Sequence, residues 1–319
     1  MAIISLLVLI LLFSQIPKFS ETANLIVLGS GVVFGTTLLP NYLYQGLEKM
    51  KYITLGAALP KLVMISVIFI LITQKEDLNL LMIIQSVGFM ISGIISTLIS
   101  YRFIKVKLVK FNIPGLILRM KNSLNLFFST LGMSLYRESG TLILGFFSSF
   151  EIVGFYSAAE KIVRAMQAIL NPIAQSIFPH YANKFSQKTK EKTLALNHFN
   201  KFIKYYMLFL LLVVGFVIFL LPAVVRLIAG DKYDDSILDI RLLSPLVFFG
   251  SLNFVIGIVG LVNLGYDKYF ARGVLFSGII AITLSLILVQ FYEDKGVAIS
   301  VSLTEIFLFY FLFKKFKSI

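Results

Sequence analysis

The feature that most constrains this chain is a succession of long apolar runs, each closed by charged or turn-forming residues. The runs fall at roughly 2–16, 24–44, 52–72, 79–101, 124–147, 150–180, 203–222, 240–264, 271–290 and 296–313. A helix crossing a ~30 Å hydrocarbon core needs ~20 apolar residues, and most of these runs have that length. In hydrocarbon every backbone polar group must be satisfied within the chain, so a span is a helix or a strand of a closed barrel. Barrel strands would alternate apolar and polar over about ten residues. Continuous runs fill this sequence, and helices are expected. With 58% hydrophobic and 14% charged residues in 319, little chain remains for a soluble domain. The expected fold class is an all-α polytopic membrane protein with about ten transmembrane helices. The sixth run is long, and Pro172 and Pro179 are expected to kink it. The first run lacks the basic start and small-residue cleavage site of a secretion signal, so it reads as a span.

Orientation follows from the placement of Lys and Arg, which concentrate on the cytoplasmic side. If the N-terminus is cytoplasmic, nineteen of the 29 cations fall on inner loops and the tail. They include Lys49, Lys51, Arg102, Arg119, Lys184, Lys204, Lys268, Arg272 and Lys314. Six fall outside: Lys18, Lys75, Arg226, Lys232, Arg241 and Lys295. Both termini are therefore expected in the cytoplasm. The +13 net charge is then mostly a topology signal, and nucleic acid is not an expected partner. Two inner loops, 102–123 and 182–204, mix cations with Ile, Leu and Phe. They suit either an interfacial segment on anionic headgroups or a solvated basic linker.

Cysteine is absent and the histidines are His180 and His198, which excludes disulfides and argues against Cys/His metal sites. The phosphate-loop pattern G-x-x-x-x-G-K-[ST] is missing, as are His-Glu-x-x-His and a Ser/His/Asp set. The outer acidic stretch from Asp231 through Asp234 and Asp235 to Asp239 could suggest a metal-assisted glycosyltransferase. It is too short to hold a substrate site and reads as a solvated loop. Gly31-Val-Val-Phe-Gly35 permits close helix approach and reads as a packing element.

Two turns on the inner side share a G-x-[acid]-K pattern: Gly46-Leu-Glu48-Lys49 and Gly265-Tyr-Asp267-Lys268. They lie six passes apart, an offset that preserves orientation, as in parallel repeats about an axis along the membrane normal. The second half has four spans before its turn and the first half two. The repeat therefore implies a twelve-span plan entered at the third helix, with two further spans expected upstream of Met1. The expected organisation is a partial N-lobe of four spans over 1–105, a basic cytoplasmic linker over 106–122, and a six-span C-lobe over 123–319.

Seven ionisable residues fall within the spans: Lys61, Arg137, Glu138, Glu160, Lys161, Arg164 and Glu305. At ~3 kcal/mol each, lipid-facing charges would be prohibitive, so they face water or one another. Arg137 lies ~20 Å into its helix at 1.5 Å per residue, and Glu160 and Arg164 reach similar depth in the next. A hydrated pathway would run there. Glu160 and Arg164 are also i,i+4 and could simply pair along one helix face. Glu305 has no partner in its own span, which suits an inter-helix pair or a titrating site.

The stretch Leu-Leu-Pro40-Asn-Tyr42-Leu-Tyr-Gln45-Gly46-Leu-Glu48-Lys49-Met-Lys51-Tyr resembles the helix-four to helix-five turn of Wzx-type O-antigen flippases. That family is the polysaccharide-transporter branch of the MATE-like superfamily. Ile152-Val-Gly154-Phe-Tyr156-Ser-Ala-Ala-Glu160-Lys161-Ile, continuing through Pro172 and Gln175 to Pro179, resembles the family's eighth helix. The likeness extends over essentially the whole chain. It departs in the absent first two helices and in Tyr42, where the family often has Trp. The resemblance implies two lobes that rock about a central cavity, in the bacterial inner membrane. The implied cargo is an undecaprenyl-diphosphate-linked oligosaccharide, carried from the cytoplasmic to the periplasmic leaflet. Arg137, Lys161 and Arg164 match in position the family's cavity cations, which would suit a diphosphate; Lys61, read from its place within a span, is a further pathway candidate. No bound cofactor is implied. Proton or sodium coupling is, with Glu160, Glu305 and Glu138 as candidate coupling or pairing groups. Membrane lipid is an implied partner, and a polysaccharide polymerase and a chain-length regulator would be functional neighbours. A MATE-like drug or cation exporter would want a net negative pocket. A polymerase or glycosyltransferase would want a large outer loop. An inactive truncated carrier is the remaining alternative.

Overall fold

The computed structural model describes residues 23–47, 49, 51–103, 114–115, 134, 137–185, 189–230 and 233–319. The expected span at 2–16, the first half of that at 124–147 and nearly all of the 102–123 loop lie outside the described residues. The described secondary structure is helical throughout, and the chain divides into two compact units, Met1–Asn112 and Ile113–Ile319. Six described helical runs are long and apolar enough to cross a membrane.

In the first unit, α1 (Ala23–Thr37) and the short α2 (Asn41–Gly46) form one span broken at Pro40. Proline lacks the amide that would continue the ladder, and its carbonyl opens the next helix by accepting from Leu43 and Tyr44. Then come α3 (Lys51–Leu71) and α4 (Leu78–Ser100). The packing is inside-out relative to a soluble bundle. Helix α4 buries Ser86, Gly88, Ser92, Gly93, Ser96 and Ser100 and exposes Val87, Ile91, Ile94 and Leu98. Lipid already solvates the large side chains, so small residues that let backbones meet form the contact. A β-carbon at Gly35 would overlap the Phe89 carbonyl on α4, so the Gly31–Gly35 pair is a packing element. Hydroxyls tie the contact: Ser92 Oγ donates to the Gly56 carbonyl at 2.8 Å and Thr97 Oγ1 to that of Leu38 at 2.6 Å. Lys49, the cation of the first repeated turn, sits 3.9 Å from the centroid of Phe103, which also meets Tyr52.

In the second unit, α5 (137–147) is followed by α6 (Phe150–Phe185), which runs through Pro172 and Pro179 as one element. Helix α7 (Thr189–Phe219) crosses next, then α8 (Leu221–Ala229). Helix α9 (Asp234–Pro245) continues to Val262 through two π-helical stretches, Leu246–Gly250 and Val255–Val262. This run is the most buried of the six spans. Pro245 cannot donate to Arg241; Ser244 Oγ serves that carbonyl instead, at 2.8 Å. Beyond the Gly265 turn (φ 86°), α10 (Asp267–Lys317) covers 51 residues. Straight, it would reach ~75 Å, more than two membrane thicknesses. Glu293 (φ 48°, ψ −124°) breaks it, and Tyr269 stacks on Phe311 at 4.5 Å, so the two limbs run back along each other. They are the two separate spans expected at 271–290 and 296–313. The core gathers Tyr156, Val163, Phe199, Leu210, Leu252, Ile256, Val297 and Leu312.

Candidate functional site

Five of the seven intramembrane charges cluster on α5 and on the first half of α6. Glu160 is 6% exposed, and Arg164 stands one turn further along the same face. Arg164 donates to Glu160 Oε1 from Nε at 2.9 Å and from Nη2 at 2.6 Å. Nη2 also reaches the Arg137 carbonyl at 2.9 Å, and Thr141 Oγ1 donates to Glu160 Oε2 at 2.8 Å. The i,i+4 geometry open to the sequence is therefore formed, and it does a second job in clamping α5 to α6. Arg164 is spent on Glu160 and on a backbone carbonyl. The side chains of Arg137, Glu138 and Lys161 are exposed, and none forms an ion pair with a described residue. A charged, accessible strip thus lies beside a neutralised, half-buried pair. Phosphate oxygens could engage Arg137 and Lys161 without breaking an ion pair to a described residue.

Lys61 belongs to the first unit, on α3 just after Pro60, with Nζ 4.8 Å from the centroid of Phe89 on α4. Glu305 is in the second unit but on the last limb of α10. It is 8% exposed, and Asn253 Nδ2 donates to its Oε2 at 2.7 Å and to its backbone carbonyl at 3.1 Å. Asn253 sits between the two π-helical stretches, and Gln167 of α6 donates to the Leu246 carbonyl at 2.6 Å. A β-carbon at Gly250 would collide with that Gln167 amide, so the glycine makes room for a polar side chain to enter the helix ladder. π-Helical turns leave backbone groups misaligned, and such polar insertions satisfy them.

Sequence reasoning overlooked one charged nest. Asp239 is fully buried, with Lys295 Nζ 3.8 Å from its Oδ1, and Lys295 also contacts the Asp294 carboxylate. Neither Asp239 oxygen is hydrogen-bonded to a described residue. The sequence places Asp239 at the edge of a solvated loop, yet α9 buries Ser236, Asp239, Ile240 and Leu243 together. Those positions are i, i+3, i+4 and i+7, a helical stripe that was present in the residue order. Tyr156 is the other omission: it is fully buried, and its hydroxyl lies within 3.1 Å of where a Gly140 β-carbon would stand.

The comparisons with known proteins agree with this architecture. The chain is 30% identical, over 95% of its length and 72% of the relative's, to a protein named as an O-antigen transporter of Escherichia coli (strain K12). A protein of the same name from Shigella dysenteriae is 26% identical over 91% of this chain and 72% of its own. Among solved structures, the lipid II flippase MurJ in an inward closed conformation superposes with a TM-score of 0.75 at 16% identity, covering 98% of this chain and 70% of that one. An inward-facing multidrug resistance MATE transporter of the MOP superfamily gives 0.72 at 16% identity, over 99% and 77%. At that identity these two show a shared fold alone. Residues 1–185 match the family described as polysaccharide biosynthesis protein, and this chain is a multi-pass membrane member of that family.

Proposed function

We propose that this chain moves a lipid-linked oligosaccharide, the repeat unit of an O-antigen or related polysaccharide, across the bacterial inner membrane by alternating access, and that it is not an enzyme. The observation that carries the reading is the 30% identity to an O-antigen transporter along nearly the whole chain. The accessible Arg137 and Lys161, beside a charge pair that needs no further partner, support a cargo with a diphosphate. Both termini are assigned to the cytoplasm from the cation distribution. Polysaccharide polymerase and chain-length regulator are its expected functional neighbours. Coupling to protons or sodium would run through carboxylates of the second unit. Glu138 is accessible, and Glu305 faces a carboxamide that could hold it in either protonation state.

The test is complementation of a flippase-null strain with single variants whose abundance is checked in the membrane. Arg137→Ala and Lys161→Ala are expected to lower surface polysaccharide at least tenfold at normal protein level. If both restore it fully, the cationic strip plays no part in the pathway. Arg164→Ala is a poor probe by itself, because it strips the partner from a buried carboxylate and confounds folding with transport.

A further inference from the structure

We infer that the cytoplasmic end of the second unit carries a site for the phosphate headgroup of an anionic membrane phospholipid, separate from the α5–α6 strip. A cleft of about 380 Å³ opens between the start of α7 and the last turn of α10. Thr193, Asn197 and Asn200 form one wall, and Phe313, Phe316 and Lys317 the other. The walls are fixed against each other: Phe199, fully buried behind the cleft, meets Phe316 edge-on at 5.5 Å. Amide donors therefore line a preformed recess.

The charge around it is mostly positive. Lys201 and Lys204 stand one turn beyond Asn197 and Asn200, and Lys314 and Lys317 close the other side, all exposed. Neither 192–230 nor 306–319 contains an Asp or Glu side chain; Glu191 precedes Thr193 on α7, and Ile319, which lines the cleft, brings the terminal carboxylate. The neighbouring turn, where Lys315 lies 4.4 Å from the Tyr266 centroid, offers Asp267, and that carboxylate forms no ion pair with a described residue. Four exposed lysines thus outnumber the terminal carboxylate and Glu191, and the surplus positive charge suits an anion from outside the chain. Basic pockets between spans on the cytoplasmic side recruit anionic headgroups in this way.

A lipid, and not a soluble phosphate, fits what lies below. The α7 stripe that begins with Asn197, Asn200 and Lys204 continues at i+4 steps through Leu208 (54% exposed) and Leu212 (76% exposed). One face thus passes from amide to ammonium to bare apolar surface, with Tyr205 exposed at the boundary as interfacial tyrosines are. Headgroup and acyl chain would each meet the surface they need.

The experiment is native mass spectrometry of the purified full chain in detergent, titrated with dioleoylphosphatidylglycerol or dioleoylphosphatidylethanolamine. We expect retained phosphatidylglycerol to fall at least fivefold in Lys204→Gln/Lys317→Gln, with phosphatidylethanolamine unchanged. Asn200→Leu, which keeps every charge, should also weaken it. Lys268→Gln/Arg272→Gln removes equal charge from another cytoplasmic turn and should change retention less than twofold. Equal loss in that control would overturn the site in favour of diffuse attraction. Equal retention of the zwitterionic lipid would reduce it to tail packing. Displacement of phosphatidylglycerol by equimolar inorganic pyrophosphate would overturn the resident-lipid assignment in favour of a diphosphate site.

Discussion

The two units are built from different contacts. In the first, helices meet through what is small: Gly35 against the Phe89 backbone, and Ser92 and Thr97 hydroxyls on carbonyls of neighbouring helices. In the second, they meet through what is large or charged. Tyr156, Phe199 and Leu252 fill the interior, Glu160 and Arg164 lock α6 to α5, and Asp239, Asp294 and Lys295 join α9 to the turn of α10. The contrast follows from where stabilisation can come from in lipid. Apolar burial contributes little between helices already solvated by hydrocarbon, so a tight seam of small residues is one solution. Buried charge is the other, and it holds only while each charge keeps its partner.

The largest effect should come from breaking a partnership in the second unit. Arg164→Ala leaves Glu160 at 6% exposure without its counter-ion, and the expected loss is about 3 kcal/mol, the low end for a broken buried pair. Glu160→Gln/Arg164→Gln removes both charges and should return to within about 1 kcal/mol of the parent. Thermal unfolding in a fixed detergent, followed by helical circular dichroism, measures both. If the double variant is as unstable as the single, the clamp on the Arg137 carbonyl and Thr141 matters more than charge balance.

That pair was legible in the sequence because both residues lie on one helix, where spacing determines proximity. So were the apolar runs, since each is set by local composition. The fold-back of α10 was visible as a charged interruption at Glu293, Asp294 and Lys295 between two such runs. What each residue meets in tertiary space was not. Asn253 reaches Glu305 across 52 positions, and Asp239 finds Lys295 only because α10 reverses beside α9. Periodicity could have placed Asp239 on a buried face, but no local rule names the partner. The π-helical stretches were likewise hidden, since Val255–Val262 is as apolar as any ordinary span. Of the candidate pathway, the sequence set Arg137, Lys161 and Arg164 on successive apolar runs, and these are the neighbouring helices α5 and α6 of the structure. It could not show that Arg164 is already engaged.

A middle-sized effect tests the other half of the comparison. Gly35→Leu drives a branched side chain into the Phe89 backbone, an overpacking expected to cost about 1–3 kcal/mol. Gly154, on α6, has nothing within 4 Å of a β-carbon, and Gly154→Ala should be neutral or slightly stabilising through helix propensity. The same unfolding assay compares them. Equal tolerance at both positions would mean that the close seam of the first unit does not hold it together.

The smallest effect lies outside the membrane, at the turn that starts α4. Asp77 Oδ2 accepts from the Thr73 and Gln74 amides at 3.0 Å each, and these bonds hold its carboxyl below the ordinary value of 3.8. A depressed carboxylate contributes stability that is present above the unfolded value and lost as pH falls through the folded one. Protection of the Thr73 and Gln74 amides from hydrogen exchange should therefore hold at neutral pH and weaken below pH 3.8. In Asp77→Asn it should be weaker at neutral pH and independent of acid. Because Asp77 is partly exposed and its bonds are to amides of its own turn, the change should stay confined to the turn and leave the unfolding temperature of the chain unmoved. A global shift would show that the first unit, too, depends on a charge, and the division drawn between the two halves would narrow.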